Sequence, residues 1–247
     1  MSIESYEELV ALKAVGHICH LALRAMAAFL RAGVTTRDVA DVGAKVMTEN
    51  GARSAPAMVY GFPGAICISV NDEAVHGIPG EREIQPGDLV KLDVTFEKNG
   101  YMADAAITVP IEPVSGEARR LALCAERAFQ QAMRVAKADH RLNEIGRAVE
   151  REVKRSGFSV IRALGGHGVG RTIHEPPSVP NYDDFTARER LTPGLVIAVE
   201  PIIAMGAGKS VTAADGWTER TVDGSLAAHF EHTIVITEKA PILLTAA

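Results

Sequence analysis

Two short segments of this 247-residue sequence deliver an acid after the same lead-in: Pro86-Gly87-Asp88-Leu89-Val90-Lys91-Leu92-Asp93 and Pro193-Gly194-Leu195-Val196-Ile197-Ala198-Val199-Glu200. Each has a later partner, Asp104 or Glu231, opening an alternating run that continues through Ile107 and Val109 or through Ile234 and Ile236. The pattern predicts one unit used twice: a turn, an apolar strand ending in an acid, and a returning strand beginning with one. Folded face to face, two such units gather four carboxylates in an apolar core. Buried like charges repel, and desolvation costs several kcal/mol for each, so the arrangement calls for a compensating cation. His167, in Gly165-Gly166-His167-Gly168-Val169-Gly170, offers a fifth donor just before the second unit. Carboxylates mixed with imidazole suit Mn, Fe, Co or Zn better than Ca.

A lone acid is ordinarily a solvated surface group. Glu200 resists that reading because an apolar run precedes it and Pro201-Ile202-Ile203 follows; the same holds, less strongly, for Asp93. The glycine-rich stretch reads as a loop but not a phosphate cradle, since Arg171 stands where a dinucleotide fingerprint needs glycine and no Lys-Ser/Thr ending follows; its bare backbone would let a ligand or peptide approach the imidazole closely. His76 and His174 are further imidazoles whose spacing alone assigns no role. His17, His20, His140 and His229 have no comparable context and read as structural, and His232 should face away from Glu231. There is no H-E-x-x-H, no G-x-S-x-G and no cysteine in a nucleophile setting, which leaves covalent protease mechanisms without support.

The elements needed to position these groups are legible in the pattern. Apolar residues recur at helical spacing from Tyr6 to Leu30, and Gly33 closes the run. Thr35 opens a second helix that Gly51 ends. Residues 56–70 and 75–96 are rich in Gly, Pro and β-branched residues and predict strands, with Asn99-Gly100 as a hairpin turn. Ser115 caps a third helix reaching about Lys137, and a fourth runs from about Asn143 to Arg155. Strands are expected over 158–164, 195–204 and 229–237. Two helices, strands with acids, two helices, strands with acids: this is an internally duplicated α+β fold, an antiparallel β core with two pairs of helices outside. No low-complexity linker divides the chain and the acid sets need each other, so residues 1–247 are expected to form one catalytic domain.

Composition narrows the function classes. Net charge is −5 and aromatics are 5% of residues, without a basic stripe, which argues against a nucleic-acid binder. Cys19, Cys67 and Cys124 lie far apart without a C-x-x-C, which fits a reducing compartment. No signal peptide is visible and no uninterrupted apolar run reaches membrane-spanning length, so a cytoplasmic protein with no membrane partner is expected.

With these residues on the page, the chain resembles the type I methionine aminopeptidases of the pita-bread fold shared with prolidase, aminopeptidase P and creatinase. The segments that carry the likeness are Asn71–Pro79 with its His76-Gly77-Ile78-Pro79, Leu92–Thr95, Gly166–Arg171, His174-Glu175-Pro176, Val199-Glu200-Pro201, Asp215-Gly216-Trp217 and Asp223–Val235. The resemblance implies that Asp93, Asp104, His167, Glu200 and Glu231 hold two divalent ions (Co, Mn, Fe or Zn). It implies that Glu200 also shuttles the proton and that His76 and His174 contact the substrate. Phe62, Cys67 and Trp217 fall at positions of the methionine pocket. Val59 stands where many members have Tyr, and Ile173 where Phe is usual, while Met102-Ala103 precede Asp104 in place of a common Gly. The long helical insertion of type II enzymes is absent, as is an N-terminal docking extension. The implied activity is removal of the N-terminal methionine from new polypeptides by a metal-activated water, favouring small second residues, by a monomer working transiently near the ribosome.

Overall fold

The computed structural model describes residues 1–246. In chain order the elements are α1 (Tyr6–Phe29), α2 (Thr36–Glu49), β1 (Arg53–Ser54), α3 (Ala55–Tyr60), β2 (Cys67–Val70), β3 (Glu73–Val75), β4 (Leu89–Lys98), β5 (Tyr101–Pro110), α4 (Gly116–Met133) and α5 (Leu142–Arg155). Then come β6 (Ser159–Val160), β7 (Gly165–Gly168), β8 (Glu175–Pro180), β9 (Val196–Val199), β10 (Ile202–Ala204), β11 (Ser210–Thr212), β12 (Glu219–Thr221), β13 (Ala227–His229), β14 (Glu231–Val235) and β15 (Ile242–Leu243).

The helices begin where local chemistry says they should. The side chains of Ser5, Thr35, Ser54 and Ser115 each accept a first-turn backbone N–H, and Thr35 and Asp38 cap each other reciprocally. The most apolar 18-residue stretch of α1 has a mean hydropathy of 1.4, high enough by composition to cross a membrane. Its Val15, Ile18, Cys19, Ala22, Leu23 and Met26 instead pack on α2 and on the β4–β5 hairpin.

One antiparallel sheet runs through the molecule in the order β1-β4-β5-β14-β9-β7-β8, with β2 on β4 and β15 on β14. Its helix-facing side divides into two cores. Leu92, Val94, Phe96, Ala103 and Ala105 lie under α1 and α2, and Ile197, Val199 and Ile234 lie under α4 and α5. Strand alternation sends the residues between these to the opposite face, where they can meet one another.

Three local expectations are corrected. Residues 55–60 form a helix because Pro56 sits in its first turn, where no backbone N–H is needed, and Gly61 ends it at φ 72°. The third long helix stops at Met133, four residues short of the expected Lys137. The glycine-rich stretch is itself a strand: a Cβ on Gly166 would run into Ala198 O, and one on Gly168 into Pro176 O, so β7 can pack here only with glycines on either side of His167. The repeated unit also differs between its copies. Asp93 lies in the middle of β4 and Asp104 four residues into β5, whereas Glu200 directly follows β9 and Glu231 opens β14.

Candidate metal centre and its cavity

Register alone brings the acids together. Thr95 pairs with Asp104 and Asp93 with Ala106 across the β4–β5 hairpin. Glu231 pairs with the same Ala106 on the other side of β5. Thr233 pairs with Ala198, which in turn pairs with His167. Cross-strand partners share a face, as do residues two apart on one strand. Asp93, Asp104, Glu231, His167 and, just past Ala198, Glu200 therefore all project from one face of one sheet.

Side-chain distances bear this out. His167 Nε2 is 3.9 Å from Asp104 Oδ2 and 3.5 Å from Glu200 Oε1. The donor atoms of Asp104, His167 and Glu231 lie within 4.8 Å of one another, as do those of Glu200, His229 and Glu231. Asp93 lies outside these two sets but lines the same cavity. Asp104 Oδ1 and Glu231 Oε1 are buried with no hydrogen-bond partner among the described residues. His167 Nδ1 bonds the Gly168 carbonyl at 2.9 Å, so the ring N–H is spent there and the Nε2 lone pair faces the acids. Orphaned carboxylate oxygens beside an imidazole lone pair are the donor set a divalent cation needs, so the residues fit one.

The electrostatics agree. Burial, with repulsion from Asp104 and Glu200, pushes the Asp93 carboxyl well above the usual carboxylate range. Burial and Asp104 do the same to Glu200, and burial with Asp104, Glu200 and Asp93 does it to Glu231. Asp104 is raised to about 7 by burial, with bonds from Thr95 and the Ala105 backbone opposing the shift. Burial brings His167 down to about 4. A nearby divalent cation favours the carboxylate forms and reverses the upward shifts.

Over the acids lies a cavity of about 190 Å³, room for a side chain rather than an extended peptide. Its apolar wall includes Phe62, Cys67 and Trp217. Phe62 and Trp217 meet edge to face at 5.3 Å, and Asp215 accepts the Trp217 and Thr218 N–H groups, fixing the turn that presents the indole. Cys67 pairs with Asp93 across β2 and β4, and burial pushes its thiol well above the usual range, so it serves as a small polarizable apolar group.

His76 and His174 line the same cavity, one from each half of the chain. His76 holds a left-handed φ of 58°, a conformation few non-glycine residues adopt, and Gly77 behind it donates its N–H to Ser69 Oγ. Burial lowers the pKa of both rings. The His174 ring lies 4.2 Å from that of His167.

The structure revises two sequence assignments. Val59 does not line the cavity; its 45% exposure is close to the 48% of Tyr60, so the two differ in direction rather than in burial. Tyr60 lines the cavity instead, and its hydroxyl lies 2.6 Å from His174 Nδ1. With the phenol donating, His174 keeps its proton on Nε2. His229, read from sequence as structural, sits among the acids, and its position two residues before Glu231 was the one available signal. Ile173 does line the cavity, and Met102 and Ala103 pack beneath Asp104 in two different cores. His232 points away from Glu231 as expected, with Nδ1 2.8 Å from Thr245 Oγ1.

Residues 10–238 match metallopeptidase family M24. The chain is 44% identical over 247 residues to methionine aminopeptidase 2 of Bacillus subtilis, covering 99% of each sequence. Its structure is similar to that of methionine aminopeptidase from Thermotoga maritima, with a TM-score of 0.94, 34% identity and all of both chains covered. Prolidase from Pyrococcus furiosus shares the fold at 23% identity and a TM-score of 0.78, with 65% of that longer chain covered.

Proposed function

The chain belongs to metallopeptidase family M24, as a metal-dependent aminopeptidase of the type I methionine aminopeptidase group with their pita-bread fold, and on that premise we propose that it hydrolyses the N-terminal methionine from new polypeptides. The observation that carries this reading is the convergence of Asp93, Asp104, His167, Glu200 and Glu231 on one sheet face beneath a cavity with an apolar wall. These five residues would hold two divalent ions, with Mn, Fe, Co and Zn all compatible with the donor set. Bound there, such ions supply Lewis acidity at the scissile carbonyl, lower the pKa of a water toward roughly 7 and anchor the substrate's free amine, which limits cleavage to the first residue.

The chain's own groups do the rest. Glu200 takes the proton from the attacking water and returns it to the leaving peptide nitrogen. The Nε2–H of His174, its tautomer set by Tyr60, donates to the scissile amide, and His76 does so from the opposite half. Phe62, Cys67 and Trp217 enclose the methionine side chain, whose soft thioether suits sulfur and aromatic contacts. The whole chain acts as one catalytic domain, since neither half holds the full donor set. We place it as a cytoplasmic monomer meeting nascent chains near the ribosome. Methionine release from Met-Gly- and Met-Leu-headed peptides, with Gly-Pro-headed peptides as the prolidase control, tests the reading. The proposal expects Met-Gly- to be cleaved fastest and Gly-Pro- not at all; cleavage of Gly-Pro- alone would replace it with prolidase-type activity.

A further inference from the structure

His229 belongs to none of the roles above, yet its ring is 1% exposed and is aimed between two acids of the centre. Nε2 lies 3.3 Å from Glu231 Oε2 and 3.6 Å from Glu200 Oε2. Neither ring nitrogen has a hydrogen-bond partner among the described residues. The backbone leaves the ring little freedom. His229 N–H donates to Thr108 Oγ1 at 2.9 Å, Thr108 Oγ1 donates back to His229 O at 2.8 Å, and His229 pairs with Ile202 across β10 and β13.

We infer that His229 is a positioning residue, whose Nε2–H is placed to donate to Oε2 of Glu231, with Oε2 of Glu200 beside it, so that their Oε1 atoms turn toward the cavity. The oxygens already divide this way: Glu200 Oε1 faces His167 Nε2, and Glu231 Oε1 is free of partners among the described residues. The rival role, a sixth ligand, fails on the tautomer. A ring that binds a cation through Nε2 keeps its proton on Nδ1, and at His229 that buried N–H would have no acceptor, a loss of about 1–3 kcal/mol; the opposite tautomer leaves Nδ1 as an unpaired acceptor but aims the ring's only donor at two carboxylates. His167 shows the contrast, since its Nδ1 has the Gly168 carbonyl. With the proton on Nε2 instead, His229 presents its only donor to the two carboxylates and has no lone pair there to give.

This inference rests on the two-ion reading above, and one experiment separates the two. Metal-free wild type, His229→Gln and His229→Leu are titrated with Mn²⁺ by calorimetry, and the visible absorption of each Co²⁺-loaded protein is recorded. Removing an outer partner of metal ligands typically costs 10–100-fold in affinity, so His229→Leu is expected to lose about that much for at least one ion. His229→Gln, which keeps an N–H donor at similar reach, should recover most of the loss with an unchanged Co²⁺ spectrum. Equal losses in both variants, with a changed spectrum, would make His229 a ligand; wild-type affinity in His229→Leu would make it core packing. Either result overturns the inference. If His229→Leu does not fold, His229→Met supplies the donor-less arm. A wild type that binds fewer than two ions defeats the two-ion reading alone, because the comparison on whichever ion binds still decides the role of His229.

Discussion

The two halves of the molecule supply acids to one centre by different means. In the amino-terminal half, Asp93 and Asp104 sit inside an unbroken ladder, with all ten residues of β4 paired to β5. The turn between them is Asn99-Gly100, both at positive φ, the backbone a tight hairpin needs. Short aspartates on a rigid ladder have almost no reach. In the carboxy-terminal half, Glu200 follows the end of β9 at Pro201, where a missing N–H interrupts the ladder, and its carbonyl is held by Asn181 Nδ2 at 2.7 Å. Glu231 opens β14 after an excursion of four short strands, β10 to β13. Longer glutamates at strand ends can turn, and the imidazoles of His167 and His229 lie beside them. A fixed pair of aspartates thus faces a pair of glutamates with longer reach on one face of the sheet. Thr233 joins the halves, accepting the Asp104 N–H and donating to its carbonyl, both at 2.8 Å.

In the proposed mechanism the adjustable side carries the proton transfer, so its loss should be the most damaging. Glu200→Ala removes a donor and the shuttle together and is expected to abolish methionine release and weaken metal binding; near-normal turnover would disprove the assignment. Next come the imidazoles, one per half. His76→Ala should leave metal content and fold intact and lower kcat by ~10²–10³, about 2.7–4 kcal/mol, with little change in KM. Loss of metal in that variant would instead make His76 a ligand.

Tyr60 reaches from the first half to His174 in the second, and Val59 beside it does not. Tyr60→Phe should lower kcat about three- to tenfold through one lost hydrogen bond, while Val59→Ala leaves kcat and methionine-over-leucine preference unchanged. The reverse pattern in steady-state kinetics would return position 59 to the pocket wall.

The smallest effect is on stability. All four acids have folded pKa values raised above their unfolded ones, to about 7 for Asp104. The folded metal-free protein therefore binds more protons than the unfolded chain, and the stability this contributes at low pH is lost as pH rises through the folded pKa values. Above about pH 6.5 an ordinary histidine is mostly neutral in the unfolded chain too, so the acids dominate the slope there. Tm of the metal-free protein should fall as pH rises from 6.5 through about 7 and beyond, and saturating Mn²⁺ should flatten the curve. A flat metal-free curve would mean that burial does not hold these carboxyls above their unfolded pKa values.

The same contrast explains what could be read from sequence. The β4–β5 hairpin was legible because its turn chemistry and its alternation agree, and the repeated lead-in exposed both acid units. α3 was not, since Pro56 and Gly61 punctuate a helix there with the same residues that punctuate strands and turns. The pocket position of Val59 came from the family resemblance instead, and the cavity is lined one residue later, by Tyr60. Gly166 and Gly168 signalled close backbone approach, but to neighbouring strands rather than to a ligand. His229 was hidden because its role depends on the register of β13 and β14, which a lone histidine before Phe230-Glu231 does not announce.

Anomalous scattering from crystals of the Mn²⁺-loaded protein tests the central claim most directly. The account predicts two peaks, roughly 3.5–4 Å apart, ligated by Asp93, Asp104, His167, Glu200 and Glu231, with the ring of His229 facing the carboxylates rather than either ion. A single peak, or peaks away from the shared sheet face, would contradict it.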